Sequence, residues 1–166
     1  MELGLTFPLQ RFLRRRPPPY GAEVDRRLCW DLHVIDLRGR KSLLAVNCHS
    51  RYTFVRFDVS PCEWADLSGL FLTGLADSLS SAGFSEEQIE RYLKKSGAPL
   101  LTRTHGRREV AFLNRAWEDV LAYDLCLDID SQRQPLLEHA VNARPSRCAG
   151  FEGLAPAAER AAVSLT

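Results

Sequence analysis

The sequence lacks the short signatures that announce a bound phosphate, a dinucleotide, a catalytic zinc or a serine nucleophile. It has no GxxxxGK[ST] loop, no GxGxxG, no HExxH and no GxSxG, so no cofactor is expected from motifs. It also lacks a CxxC pair. The five cysteines, Cys29, Cys48, Cys62, Cys126 and Cys148, are odd in number and irregular in spacing, which argues against a disulfide framework and against a zinc knuckle. Cys29 and Cys126 lie in apolar runs, where a free thiol acts as a small hydrophobe. Unpaired thiols suit a reducing compartment, so a cytoplasmic location is expected. No apolar run reaches the length of a membrane span, and the first cluster of positive charge follows a weak apolar stretch instead of preceding it. Neither a membrane partner nor a secretory signal is expected. A strong excess of one charge is missing too, since the formal net charge is +1.

What is present reads as one globular domain. The chain has 166 residues, 45% hydrophobic and 26% charged, enough to bury a core without a metal or disulfide staple. Charge is unevenly spread: residues 1–60 hold 11 Lys or Arg against 6 Asp or Glu, which would favour an anionic partner on the N-terminal side. Residues 1–27 form an N-terminal segment in which Leu5, Phe7, Leu9, Phe12 and Leu13 suit a short strand or a helical turn. Arg14, Arg15 and Arg16 followed by Pro17, Pro18 and Pro19 read as an extended basic linker.

Residues 28–142 carry the domain. In 28–37, Leu28, Trp30, Leu32 and Val34 alternate with Cys29, Asp31, His33 and Ile35, the period of a strand. A turn at Arg38, Gly39 and Arg40 leads to the apolar run Leu43, Leu44, Ala45 and Val46, and residues 51–59 give a third strand. Ser60, Pro61, Cys62 and Glu63 form a capping box with proline at the first helical position, predicting a helix to about Ser80. Ser85 to Gln88 repeats the box and opens a shorter helix ending near Gly97. Residues 99–104 read as a fourth strand, 108–125 as a helix and 131–142 as another. Residues 143–166, rich in Ala and Pro, read as a frayed C-terminal tail. The order β-β-β-α-α-β-α predicts an α+β fold with a mainly antiparallel sheet of about four strands and helices packed on one face.

The candidates for chemistry are sparse. Cys48 and His49 are adjacent, and neighbours in a strand point to opposite faces, so a nucleophile–base contact near 3 Å is not expected. His33, His49, His105 and His139 lie in different elements without ligand spacing, so no metal is expected. Asp124, Asp128 and Asp130 lack the glycine and glutamate of an EF-hand loop. Arg14, Arg15 and Arg16, with Arg11, Arg26, Arg27 and Tyr20, are candidate contacts to a nucleic acid backbone and base.

Several stretches occur in an order that resembles an uncharacterised bacterial family, a small domain of unknown function. They are LCWDLHVIDLRGRK, then LLAVN ending in Asn47, RYTFVRFDV, the helix through Ala65, Asp66 and Leu67, GFSEEQI, and TRTHGRREVAFLN. The last is similar to a KTxxRSVLGSMN-like family segment, with Arg107 and Asn114 at its Arg and Asn and Ala111 where the family has Gly. The resemblance implies membership and carries no activity. It singles out Asn47, Arg107 and Asn114 as polar residues to test, with Arg103 beside them. The expected function is a non-enzymatic binding or regulatory module for a protein or nucleic acid partner. The alternative is a small enzyme or ligand binder using Arg103, Arg107 and Asn114 on an anionic small molecule.

Overall fold

The computed structural model describes residues 1–165. In chain order the elements are β1 (Glu2–Leu5), α1 (Phe7–Phe12), β2 (Cys29–Leu37), β3 (Arg40–Asn47), β4 (Thr53–Arg56), α2 (Pro61–Ala65), α3 (Leu67–Ser81), α4 (Glu86–Ser96), β5 (Leu100–Arg103), α5 (Arg107–Ala122), α6 (Pro135–Ala143), β6 (Pro145–Ser146), β7 (Ala155–Pro156) and α7 (Ala157–Ser164). The fold is α+β, around a five-stranded sheet in the order β4-β3-β2-β1-β5.

The predicted meander is present: β2 pairs antiparallel with β3, and β3 with β4. The sheet as a whole is mixed, not mainly antiparallel, and has a fifth strand. That strand is β1, which lies parallel to β2 on one side and to β5 on the other. The ambiguous N-terminal stretch is thus a strand and then a helix. Leu3 and Leu5 are buried at 0% and 1% exposure, so Glu2–Leu5 belong to the sheet and not to a segment outside it. Four residues are too few for alternation to stand out from a helical turn, and both of β1's neighbours are remote in sequence.

Helices cover both faces, which corrects the expectation of one. On one face Leu3, Leu5, Trp30, Leu32, Leu43, Ala45 and Phe54 meet Leu9 of α1, Trp64 of α2, the Leu67, Phe71, Leu75 and Leu79 stripe of α3, Ile89 and Tyr92 of α4, and Ala161 of α7. On the other, Ile35, Leu37, Leu44, Val46 and Val55 meet Leu113, Ala116 and Val120 of α5 and Leu137 and Val141 of α6. The two-residue period of the strands feeds both cores. Residues 143–166 had few large side chains to suggest packing, yet α7 forms and Ala161 and Leu165 are buried.

Both capping boxes form, with Ser60 accepting from the Glu63 amide and Ser85 from the Gln88 amide. The first predicted helix is interrupted at Asp66, whose backbone leaves helical geometry (φ −107°, ψ 71°) and whose side chain accepts from the Gly69 amide to start α3. The free edge of β4 is closed by α6 side chains. Asn142 accepts from the Thr53 amide and donates to the Thr53 carbonyl, while Glu138 accepts from the Val55 amide. Side chains thereby satisfy donors that would otherwise invite another strand.

Candidate functional site

The α5 side of β1 and β2 changes from apolar to polar toward the start of these strands. In register, Thr102, Gly4, Asp31 and Val46 form one row across β5, β1, β2 and β3, and Glu2 lies beside Cys29 in the next. Gly4 has no side chain to fill this row. A Cβ there would sit 2.1 Å from Asp31 Oδ1 and 2.9 Å from His105 Nδ1. The space belongs to His105, which the chain brings back over the sheet after β5. Gly106, at φ +139°, then allows the turn into α5.

His105 Nδ1 lies 2.7 Å from Asp31 Oδ1, and its Nε2 lies 3.2 Å from Glu2 Oε2. The His105 backbone amide also donates to Asp31 Oδ1, at 3.2 Å. Glu2 Oε1 in turn accepts from the Ala22 and Glu23 amides at 2.7 and 2.9 Å. Cys48 Sγ stands 3.5 Å from Nδ1, and the Cys29 sulfur lies within 4.8 Å of ligand atoms of both Glu2 and His105. The side chains of Glu2, Asp31 and His105 are 7%, 1% and 2% exposed. Five potential ligand residues from four separate stretches thus converge in a buried pocket of the fold.

Burial alone would push His105 down, but its hydrogen bond to Asp31 and the Cys29 and Cys48 thiols beside it carry it up to about 12. Burial pushes the Asp31 carboxyl up against the opposing pull of His105. Burial would also raise Glu2, but the Ala22 and Glu23 amides and His105 outweigh it and hold its carboxyl below the usual range. An imidazole between two carboxylates is best held doubly protonated. Burial pushes the Cys48 thiol up to about 12, so at neutral pH it is a thiol and not a thiolate.

This arrangement is not a Cys-His-Asp triad. In a triad the base offers one ring nitrogen to the nucleophile and the other to the carboxylate. Here Cys48 and Asp31 approach the same nitrogen, and Glu2 occupies the other. Cys48 and His49 diverge as expected, because His49 turns away to pack on Phe151 with ring centres 4.9 Å apart.

Asn47 is fully buried, donating to the Arg27 and Cys29 carbonyls and accepting from the His49 and Ser50 amides. It holds the turn that carries Cys48. Arg107 and Asn114 are exposed on α5. Arg103 stacks on Tyr20 at 4.5 Å and donates to its hydroxyl. The two line a hollow of about 260 Å³ with Arg26, His105 and Gly106, and Asn47, Arg107 and Asn114 stand outside its wall. His33 bonds Thr6, and Asp124 pairs with Arg38. Arg14, Arg15 and Arg16 are exposed just after α1. Of the three, Arg15 lines a second, open hollow of about 490 Å³, together with Phe12, Leu13, Lys41, Val59 and Trp64.

Sequence reasoning found no metal spacing because the converging residues are separated by up to 103 positions. One local signal was available. The strand face Cys29, Asp31, His33 and Ile35 is half polar, although β2 is covered on both sides, and a carboxylate inside such a strand needs a partner.

Among the described residues, no helix is long and apolar enough to cross a membrane. No curated protein matches the chain. The family described as a domain of unknown function, DUF6933, matches residues 2–156, and the chain belongs to it.

Proposed function

We propose that the protein is a non-enzymatic binding module that recognises an acidic segment of a partner protein bearing an apolar anchor. The observation that carries this reading is the open hollow between α1 and α2. Its floor is apolar, with Phe12 meeting Trp64 edge-on at 5.0 Å beside Leu13 and Val59. Phe12 is 38% exposed. Arg15 is part of the rim, and Arg14 and Arg16 flank it on the exposed chain. An apolar floor with an adjacent run of cations matches an acidic, apolar-anchored peptide better than a bare phosphate backbone. The five unpaired cysteines are consistent with a cytoplasmic setting.

Binding of acidic decapeptides, with and without a central Leu or Phe, is measured by fluorescence anisotropy beside a single-stranded oligonucleotide. Anchored peptides are expected to bind at micromolar concentration. Phe12→Ala and the triple Arg14→Glu, Arg15→Glu, Arg16→Glu variant are each expected to weaken them at least tenfold. Failure of every peptide to bind, or oligonucleotide binding that only the charge variant removes, would overturn the reading.

A second reading is favoured by the hollow of Tyr20, Arg26 and Arg103. Two guanidinium groups on its wall and the nearby imidazolium suit a small anion. In this reading the protein is a ligand binder for an anionic small molecule. Inorganic phosphate in the same titration, competing only in a chain with native Arg103, would favour it.

A further inference from the structure

We infer that Asp31, Cys48 and His105 form a binding site for one zinc-class divalent cation, with Glu2 orienting the histidine. Asp31 Oδ2 and the Thr102 hydroxyl are both buried without a hydrogen-bond partner, and their residues flank Gly4 in the same row of the sheet. Buried polar atoms are nearly always satisfied. Two orphans beside a thiol, an imidazole and a second carboxylate indicate an environment arranged for a cation.

The donor atoms fit. A ligating atom from each of Asp31, Cys48 and His105 lies within 4.8 Å of the others. Tetrahedral zinc with bonds of roughly 2.0–2.3 Å separates its ligands by roughly 3.3–3.7 Å. The Cys48 Sγ to His105 Nδ1 distance of 3.5 Å already has that value. The Asp31 to Nδ1 distance of 2.7 Å is a hydrogen bond that the ion replaces, so the carboxylate moves outward by roughly half an ångström. A set of one sulfur, one imidazole nitrogen and one carboxylate selects zinc-class ions over magnesium or calcium.

The group Glu2, Cys29 and His105 is also close enough, but Glu2 is already engaged. Its carboxylate accepts from the Ala22 and Glu23 amides and faces His105 Nε2. That is the arrangement in which a carboxylate fixes a metal-bound histidine through its other ring nitrogen. Glu2 is therefore a positioning residue, and Nδ1 is the ligating atom. Binding releases the Nδ1 proton and the Cys48 thiol proton to solvent, leaving neutral imidazole and thiolate on the ion.

The test uses reduced, chelator-stripped full chain and Co²⁺ as the optical probe, followed by competition with Zn²⁺. One equivalent of Co²⁺ is expected to bind, with the near-ultraviolet band of a thiolate–cobalt bond, and one equivalent of Zn²⁺ is expected to displace it. Cys48→Ser and Asp31→Asn abolish the band, while Cys29→Ser and Cys62→Ser retain it. Glu2→Gln retains the band with affinity weakened 10- to 100-fold. Circular dichroism verifies that each variant is folded. If Cys48→Ser does not fold, the wild-type stoichiometry and band, with the Cys29→Ser and Cys62→Ser controls, decide the matter. Wild-type protein that binds less than one equivalent, shows no thiolate band, or loses the band in Cys29→Ser or Cys62→Ser overturns the inference.

Discussion

Gly4 illustrates how one missing side chain organises a site. Its backbone has no left-handed geometry to require glycine; the requirement is purely steric. A Cβ would meet Asp31 Oδ1, His105 Nδ1 and the Thr104 Cα at 2.1, 2.9 and 3.0 Å. The last contact is backbone and cannot rotate away. Gly4→Ala is therefore expected to displace His105 and to cost about 3 kcal/mol of stability, as overpacking does. A shift of the urea midpoint measures this, and a change under about 0.5 kcal/mol would show that the loop after β5 yields freely. The glycine was visible in the sequence, but its reason was not, because His105 lies about a hundred positions away.

At the scale of elements, α6 is held to β4 by side chains. Glu138 accepts from the Val55 amide and from the Ser78 hydroxyl, which also meets Tyr52. Burial dominates the carboxyl and raises it to about 7, against the Ser78 and Val55 hydrogen bonds and the Arg56 charge; Asp77 adds to the rise. The folded value thus exceeds the unfolded value near 4.5, so the folded state holds the proton more tightly. The associated stability is fully present below pH 4.5 and is lost as pH rises through about 7. A shift of this size corresponds to ~3 kcal/mol. Urea unfolding at several pH values is expected to show a decline across that window, flattened in Glu138→Gln. An unchanged slope in the variant would assign the decline to another group. This element also marks the limit of local reading. The two capping boxes lie within four residues each and were legible, as was a helix near 131–142, where α6 forms. Which strand edge α6 would cover depends on Asn142 meeting Thr53, 89 residues apart.

At the scale of the whole molecule, both terminal regions converge on the middle of the chain. β1 brings Glu2 and Gly4 to β2, and the C-terminal region grips residues 47–51, the turn that carries Cys48. Arg160 is 2% exposed and donates to the Ser50, Ser146 and Ala155 carbonyls and to the Ser146 hydroxyl. Arg51 donates to the Arg147 carbonyl, and Cys148 to that of His49. These contacts were illegible because residues 143–166 are poor in large apolar side chains, and a buried arginine bound to carbonyls leaves no periodic trace. Arg160→Ala leaves those carbonyls without their donor in a buried setting, and is expected to destabilise the fold by about 2–4 kcal/mol. The same contacts predict where the loss appears first. The Arg51 amide, bonded to the Asn47 carbonyl at 3.1 Å, is expected to exchange its hydrogen much faster in the variant, while amides at the centre of β2 change only with global stability. Equal acceleration at both places would mean that α7 supports the core as a whole and not the turn that presents Cys48.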